Sequence, residues 1–196
     1  MLFLRNESFS QFTRSYPIVT YIIGIHTVLF LLSVITPAFY FLYFHRLGIG
    51  YNAAVAAGEW WRLVTPIFLH GGFSHFILNS FSLVIFGPAL ERMLGHVRFL
   101  GAYLFAGIVG NLATFFLHPG HYLHLGASGA IYGLLGLYFY MKLHRKDLID
   151  PQSAQIITIF LVIGLIYSFM PNINIASHLF GFLAGFLGGW IIIKRH

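Results

Sequence analysis

Residues 126–142 read GASGAIYGLLGLYFYMK. About 16 of these residues precede Lys142, enough for roughly 24 Å of helix against a hydrocarbon layer of about 30 Å. The stretch reads as a membrane helix that stops short of one surface. With Lys142, Arg145 and Lys146 holding the far end at the interface, Ser128 falls at the helix N-terminus, some way below the headgroups on the other side. A serine there is useful to lipid-embedded protein only if water reaches it.

Working outward, five more stretches have the length and apolarity of membrane helices: roughly 17–36, 74–91, 97–117, 153–170 and 174–193. With 127–142 they predict an all-α polytopic membrane protein of six spans, folded as a single domain over residues 1–196. Composition agrees. Only 8% of the residues are charged, 58% are hydrophobic and the mean hydropathy is +0.81, which leaves too little polar surface to cover a water-soluble globule. The first apolar run follows Arg5 and Arg14 and lacks a small-residue cleavage site, so it reads as a retained helix and not a removed signal.

Between the first two spans, residues 37–73 are broken by Pro37, Gly48, Gly50, Gly58, Pro66, Gly71 and Gly72. The amphipathic part, EWWRLVTPIFLH at 59–70, suggests a partly interfacial loop with aromatic anchors. The formal charge of +6 is spread between apolar runs instead of forming a patch, which speaks for topology and against nucleic acid as a partner. With both termini inside, Arg5, Arg14, Arg92, Arg98, Lys142, Arg145, Lys146, Lys194 and Arg195 are cytoplasmic, and only Arg46 and Arg62 lie outside. That is the positive-inside orientation. A compact chain without a transit-like leader fits a plasma membrane, with lipid as its surroundings.

From an inside start, the second, fourth and sixth spans all run from outside to inside, so their first turns share one layer. Those turns hold His75 and Asn79, then Ser128, then His178, polar groups that lipid penalises unless they share a wet cavity. Gly181, Gly185 and Gly189 repeat at four-residue spacing on the His178 face, and Gly129, Gly133 and Gly136 border Ser128. Such stripes let two helices approach closely. On their own they indicate packing; with a serine and a histidine at matching depth, they predict a hydroxyl within hydrogen-bond reach of an imidazole, the arrangement that activates a serine nucleophile. The acids, Glu7, Glu59, Glu91, Asp147 and Asp150, all lie away from His178 in the predicted topology, so a dyad is expected in place of a triad. Tyr132, one turn from Ser128, either orients the imidazole or is a core aromatic. His75 and Asn79, four apart on one face, could donate to an oxyanion, or Asn79 could simply bond a neighbouring helix. Asn111 reads as an interhelical hydrogen-bonding residue.

GASGAIYGLLG, together with ASHLFGFLAGFLGG at 176–189, resembles the rhomboid proteases. The likeness extends to Trp61 and Arg62, to HGGFSHFILNS at 70–80, to GPALERMLG at 87–95 and to the six-span plan, covering roughly residues 58–190. It implies an intramembrane serine endopeptidase that cuts membrane proteins in or beside a transmembrane segment. By that resemblance the Gly-x-Ser-Gly motif falls on Gly126, Ala127, Ser128 and Gly129, and the catalytic histidine with its two following glycines on His178, Gly181 and Gly185. His75 and Asn79 stabilise the oxyanion, Tyr132 packs on the imidazole, and His70 is structural. No cofactor is implied. A metal enzyme would want an HExxH or an equivalent base, which the sequence lacks, and His118, His121 and His124 read as a solvated outer loop. A non-catalytic membrane chaperone on the same scaffold, or a facilitator of small solutes, is the alternative.

Overall fold

The computed structural model describes residues 2–36, 38 and 46–193. Pro37 and residues 39–45 of the 37–73 loop, and the topology charges Lys194 and Arg195, lie outside the described residues.

Helices dominate. A short α1 (Phe9–Ser15), capped by Ser8 and Gln11, precedes α2 (Pro17–Ile35). A two-residue strand β1 (Gly50–Tyr51) and a short helix α3 (Asn52–Ala56) follow, then two 3-10 turns, Trp60–Leu63 and Thr65–Phe68. Next come α4 (Phe73–Leu94), α5 (His96–Leu117), strand β2 (Leu123–His124), α6 (Ser128–His144), a 3-10 turn at Lys146–Leu148, α7 (Pro151–Ser168) and α8 (Ile175–Ile192). β1 and β2 pair antiparallel, Gly50 opposite His124. Among the described residues five helices, α2, α4, α5, α7 and α8, are long and apolar enough to cross a membrane. The remaining predicted span, α6, has 17 residues, about 25 Å, and so retains the shortness expected of it.

These helices lie over the predicted spans with shifted ends, and caps account for several of those ends. Asp150 accepts from Ser153 N–H at 2.9 Å and Pro151 sits at the first helical position, so α7 begins at 151 instead of 153. Asn174 Oδ1 accepts from Ser177 N–H at 3.1 Å and caps α8. Gly95, at φ +79, allows α4 to turn directly into α5. At α2 the cap comes from a distant residue. Glu91, 1% exposed, accepts from Ile18 N–H and Val19 N–H at 2.9 Å each and also meets His96 Nδ1 at 2.7 Å. The first N–H groups of a helix lack intrahelical acceptors and carry its positive end, so a carboxylate from α4 satisfies both needs and ties α2 to it.

α6 is the centre. It packs most extensively on α8 and touches α4, α5 and α7 as well. Leu134, Leu137, Tyr138 and Met141 are fully buried in the main core, and Tyr138 Oη donates to Phe86 O at 2.7 Å. α2, α7 and α8 instead turn large apolar side chains outward, among them Leu31, Val34, Val162, Ile163, Leu187 and Trp190. That pattern suits lipid.

The described part of the first loop is more built than amphipathicity suggested. Arg62, 4% exposed, donates to Glu59 Oε2 at 2.6 Å, to Ile49 O at 2.7 Å and to Arg46 O. Trp61 Nε1 donates to Leu47 O at 3.0 Å, and Thr65 Oγ1 donates to Gly48 O at 2.6 Å. The Trp-Arg pair, with Thr65, therefore serves as a clamp on the carbonyls of residues 46–49. Asn111 also joins the loop, donating to Leu63 O at 2.9 Å, in place of the neighbouring helix expected for it.

Candidate active site

The seam between α6 and α8 is made of glycine. A β-carbon on Gly181 would overlap the Gly129 carbonyl, one on Gly185 the Gly133 carbonyl, and one on Gly136 the Phe182 carbonyl. The two helices meet main chain to main chain over about two turns. Both therefore place their first residues side by side.

At that end, Ser128 Oγ lies 2.8 Å from His178 Nε2, although the residues are 50 apart in sequence. His178 is 4% exposed and Ser128 is partly exposed at the mouth of the bundle. The imidazole has three neighbours that fix it. Tyr132 stacks on one face, with centroids 4.1 Å apart and planes inclined by 11°. Ser128 meets Nε2. Ser168, the last residue of α7, brings Oγ to 2.7 Å from Nδ1.

Sequence reasoning missed Ser168. It lies ten residues before His178 across the α7–α8 turn, in a segment read as apolar, and only the packing of α7 on α6 and α8 brings it behind the ring. Of the two readings open for Tyr132, the structure has it in the ring-stacking position, with Oη 2.9 Å from Ser168 Oγ.

His75 and Asn79 sit on the first turns of α4, with Asn79 Nδ2 donating to His75 O at 3.0 Å. They face the residue two before the serine. A β-carbon on Gly126 would overlap the His75 ring at Nε2 and stand 3.8 Å from Asn79 Nδ2. Gly126 also has φ +122, a conformation side chains strain to adopt, and its N–H donates to Pro66 O at 2.9 Å. Glycine thus keeps open a small space on which an imidazole N, an amide N and the start of α6 converge. Gly129, buried under Ser177, admits α8 beside it.

His70 is buried against the rings of His26, His75 and Phe76, at centroid distances of 4.7, 5.2 and 5.8 Å. Burial, helped by the neighbouring imidazoles, pushes its pKa down to about 2, so it is a neutral wall residue. In the loop between α5 and α6, His118 stacks on Tyr122 at 4.0 Å, His121 is exposed, and His124 is buried over Gly50, so these three serve different contacts.

Comparison with known proteins is extensive. A family model described as the Rhomboid domain matches residues 57–195. The chain is 45% identical over 195 residues to "Putative rhomboid protease YdcA" of Bacillus subtilis (strain 168), an alignment covering 99% of this chain and 98% of that one. It is 42% identical over 136 residues to "Rhomboid protease GluP" of the same organism, covering 69% of this chain and 26% of that protein. With "RHOMBOID-like protein 5" of Arabidopsis thaliana it shares 35% identity over 153 residues, 76% of this chain and 50% of the other. It therefore spans nearly all of the first relative and only parts of the other two.

Proposed function

The chain belongs to the rhomboid family, and from that membership and the geometry at the start of α6 we propose that it is an intramembrane serine endopeptidase working through a Ser128–His178 dyad. It is an all-α, multi-pass integral membrane protein, and its two Bacillus subtilis relatives bear the name rhomboid protease. The observation that carries the proposal is the 2.8 Å approach of Ser128 Oγ to His178 Nε2 at the partly exposed end of an otherwise buried helix.

In this reading the substrate is a membrane protein, cut in or beside its transmembrane segment. His178 Nε2 takes the Ser128 proton as Oγ attacks the carbonyl carbon, and the imidazolium returns that proton to the leaving amine. Water then attacks the ester, with the same nitrogen as base, and releases the acid. Negative charge on the carbonyl oxygen is met by the first N–H groups of α6 and by His75 and Asn79 across the space that Gly126 leaves. Hydrolysis needs no metal or cofactor here, since one base and one set of donors serve both halves. The single domain spans 1–196, both termini are cytoplasmic, and the site opens to the outer side of a plasma membrane.

Serine-directed fluorophosphonate labelling in detergent tests the dyad. The parent chain should label, while Ser128→Ala and His178→Ala should not; persistent labelling of Ser128→Ala would place the nucleophile elsewhere. Substrate choice follows from main-chain hydrogen bonding. A transmembrane helix hides its carbonyls in its own bonds, so a segment must unwind locally before attack. Introducing glycine or proline near the scissile bond of a reconstituted substrate is expected to raise the cleavage rate. Rates indifferent to such changes would remove the unwinding step.

A further inference from the structure

Ser168 has three polar contacts and three places to put them. A hydroxyl offers one O–H donor and two lone pairs. Its Oγ lies 2.7 Å from Gly164 O, 2.9 Å from Tyr132 Oη and 2.7 Å from His178 Nδ1. The Gly164 carbonyl can only accept, so the one O–H of Ser168 points there, back along its own helix. Both lone pairs are then left to accept, one from Tyr132 O–H and the other from His178 Nδ1–H. The hydroxyl is saturated.

We propose that Ser168 is a positioning residue that holds the single proton of neutral His178 on Nδ1 and thereby keeps Nε2 free to receive the Ser128 proton. The inference rests on the dyad reading above and deepens it. An imidazole in water favours its proton on Nε2, and a ring in that form would donate to Ser128 Oγ and could not act as its base. Proteins set the tautomer of a histidine through the partner of its other nitrogen. In a serine triad that partner is a carboxylate. Here none of the carboxylates among the described residues hydrogen-bonds His178, and Ser168, 3% exposed, stands at Nδ1 instead.

A neutral partner also gives the proton nowhere to go. When Nε2 takes the Ser128 proton, the imidazolium keeps Nδ1–H on the Ser168 lone pair, and the same Nε2 proton leaves with the amine. Ser168 is unchanged across the cycle. Tyr132 contributes twice, through its ring on the imidazole face and its hydroxyl on the second lone pair, and Gly164 leaves room for that hydroxyl, because a β-carbon there would come within 2.6 Å of Tyr132 Oη.

The test is 15N spectroscopy of the full chain labelled at histidine, in lipid, with the His178 signals identified by their loss in His178→Ala. In the parent protein Nδ1 should be of the protonated type and Nε2 of the bare type. Ser168→Ala should shift the population toward Nε2–H and lower kcat roughly tenfold, the scale of one hydrogen bond, with KM little changed. Ser168→Thr, which keeps the hydroxyl, should restore Nδ1–H and most of kcat. A proton on Nε2 in the parent protein, or a Ser168→Ala chain with Nδ1–H and parental kcat, overturns the assignment. Failure of the dyad itself would look different: Ser128→Ala would still cleave substrate.

Discussion

Replacing His178 with alanine should reduce substrate turnover by roughly 10⁴- to 10⁶-fold, the range seen when the base or its orientation is removed from a serine hydrolase. The expected loss is large because, among the described residues, His178 is the one imidazole hydrogen-bonded to the Ser128 hydroxyl. Its one side-chain partner among the described hydrogen bonds is His178 Nε2 at 2.8 Å, and a neutral serine is a weak nucleophile. The fold should survive, because the α6–α8 seam does not run through the imidazole. The combination to measure is kcat on a reconstituted transmembrane substrate together with helical circular dichroism. Turnover within tenfold of the parent, in a folded chain, would mean that another group takes the serine proton.

A second large effect is expected from a residue that touches no substrate. Gly185→Leu should both lower the thermal midpoint in detergent and abolish cleavage. A β-carbon at 185 falls on the main-chain carbonyl of Gly133, and neither helix has a side chain there that could move aside. Overpacking of side chains costs about 1–3 kcal/mol when neighbours can rearrange. At this seam the helices must separate, which carries His178 away from Ser128. Gly188 supplies the matched control, since a β-carbon there meets only Ile192 Cδ1 at 3.8 Å. Gly188→Ala should leave both midpoint and rate near parental values. A folded, active Gly185→Leu chain would show that the seam does not set the dyad distance.

How much of this was legible beforehand depended on whether the cause was local. The spans of α2, α4, α5, α7 and α8 were readable because lipid demands about 20 apolar residues in a row, and the shortness of α6 was readable from Lys142 at one end and Ser128 at the other. The gathering of His75, Asn79, Ser128 and His178 followed from counting spans, and the seam from glycines four apart. Ser168 was hidden because nothing in Ile166-Tyr167-Ser168 marks it as different from a serine facing lipid. The same holds for Glu91, whose role depends on α2 ending up beside it, and for Arg62, whose hold on the Arg46 and Ile49 carbonyls depends on how the loop folds back. These are long-range effects, set by which neighbour the fold delivers.

The glycine seam has one more consequence, in entropy. Two helices held apart by leucines keep their spacing only as an average over rotamers, whereas carbonyl against α-carbon has no rotamer to average over. The freedom that a nucleophile and its base must lose to meet is therefore lost once, when the chain folds, and does not recur as part of the activation barrier for each substrate.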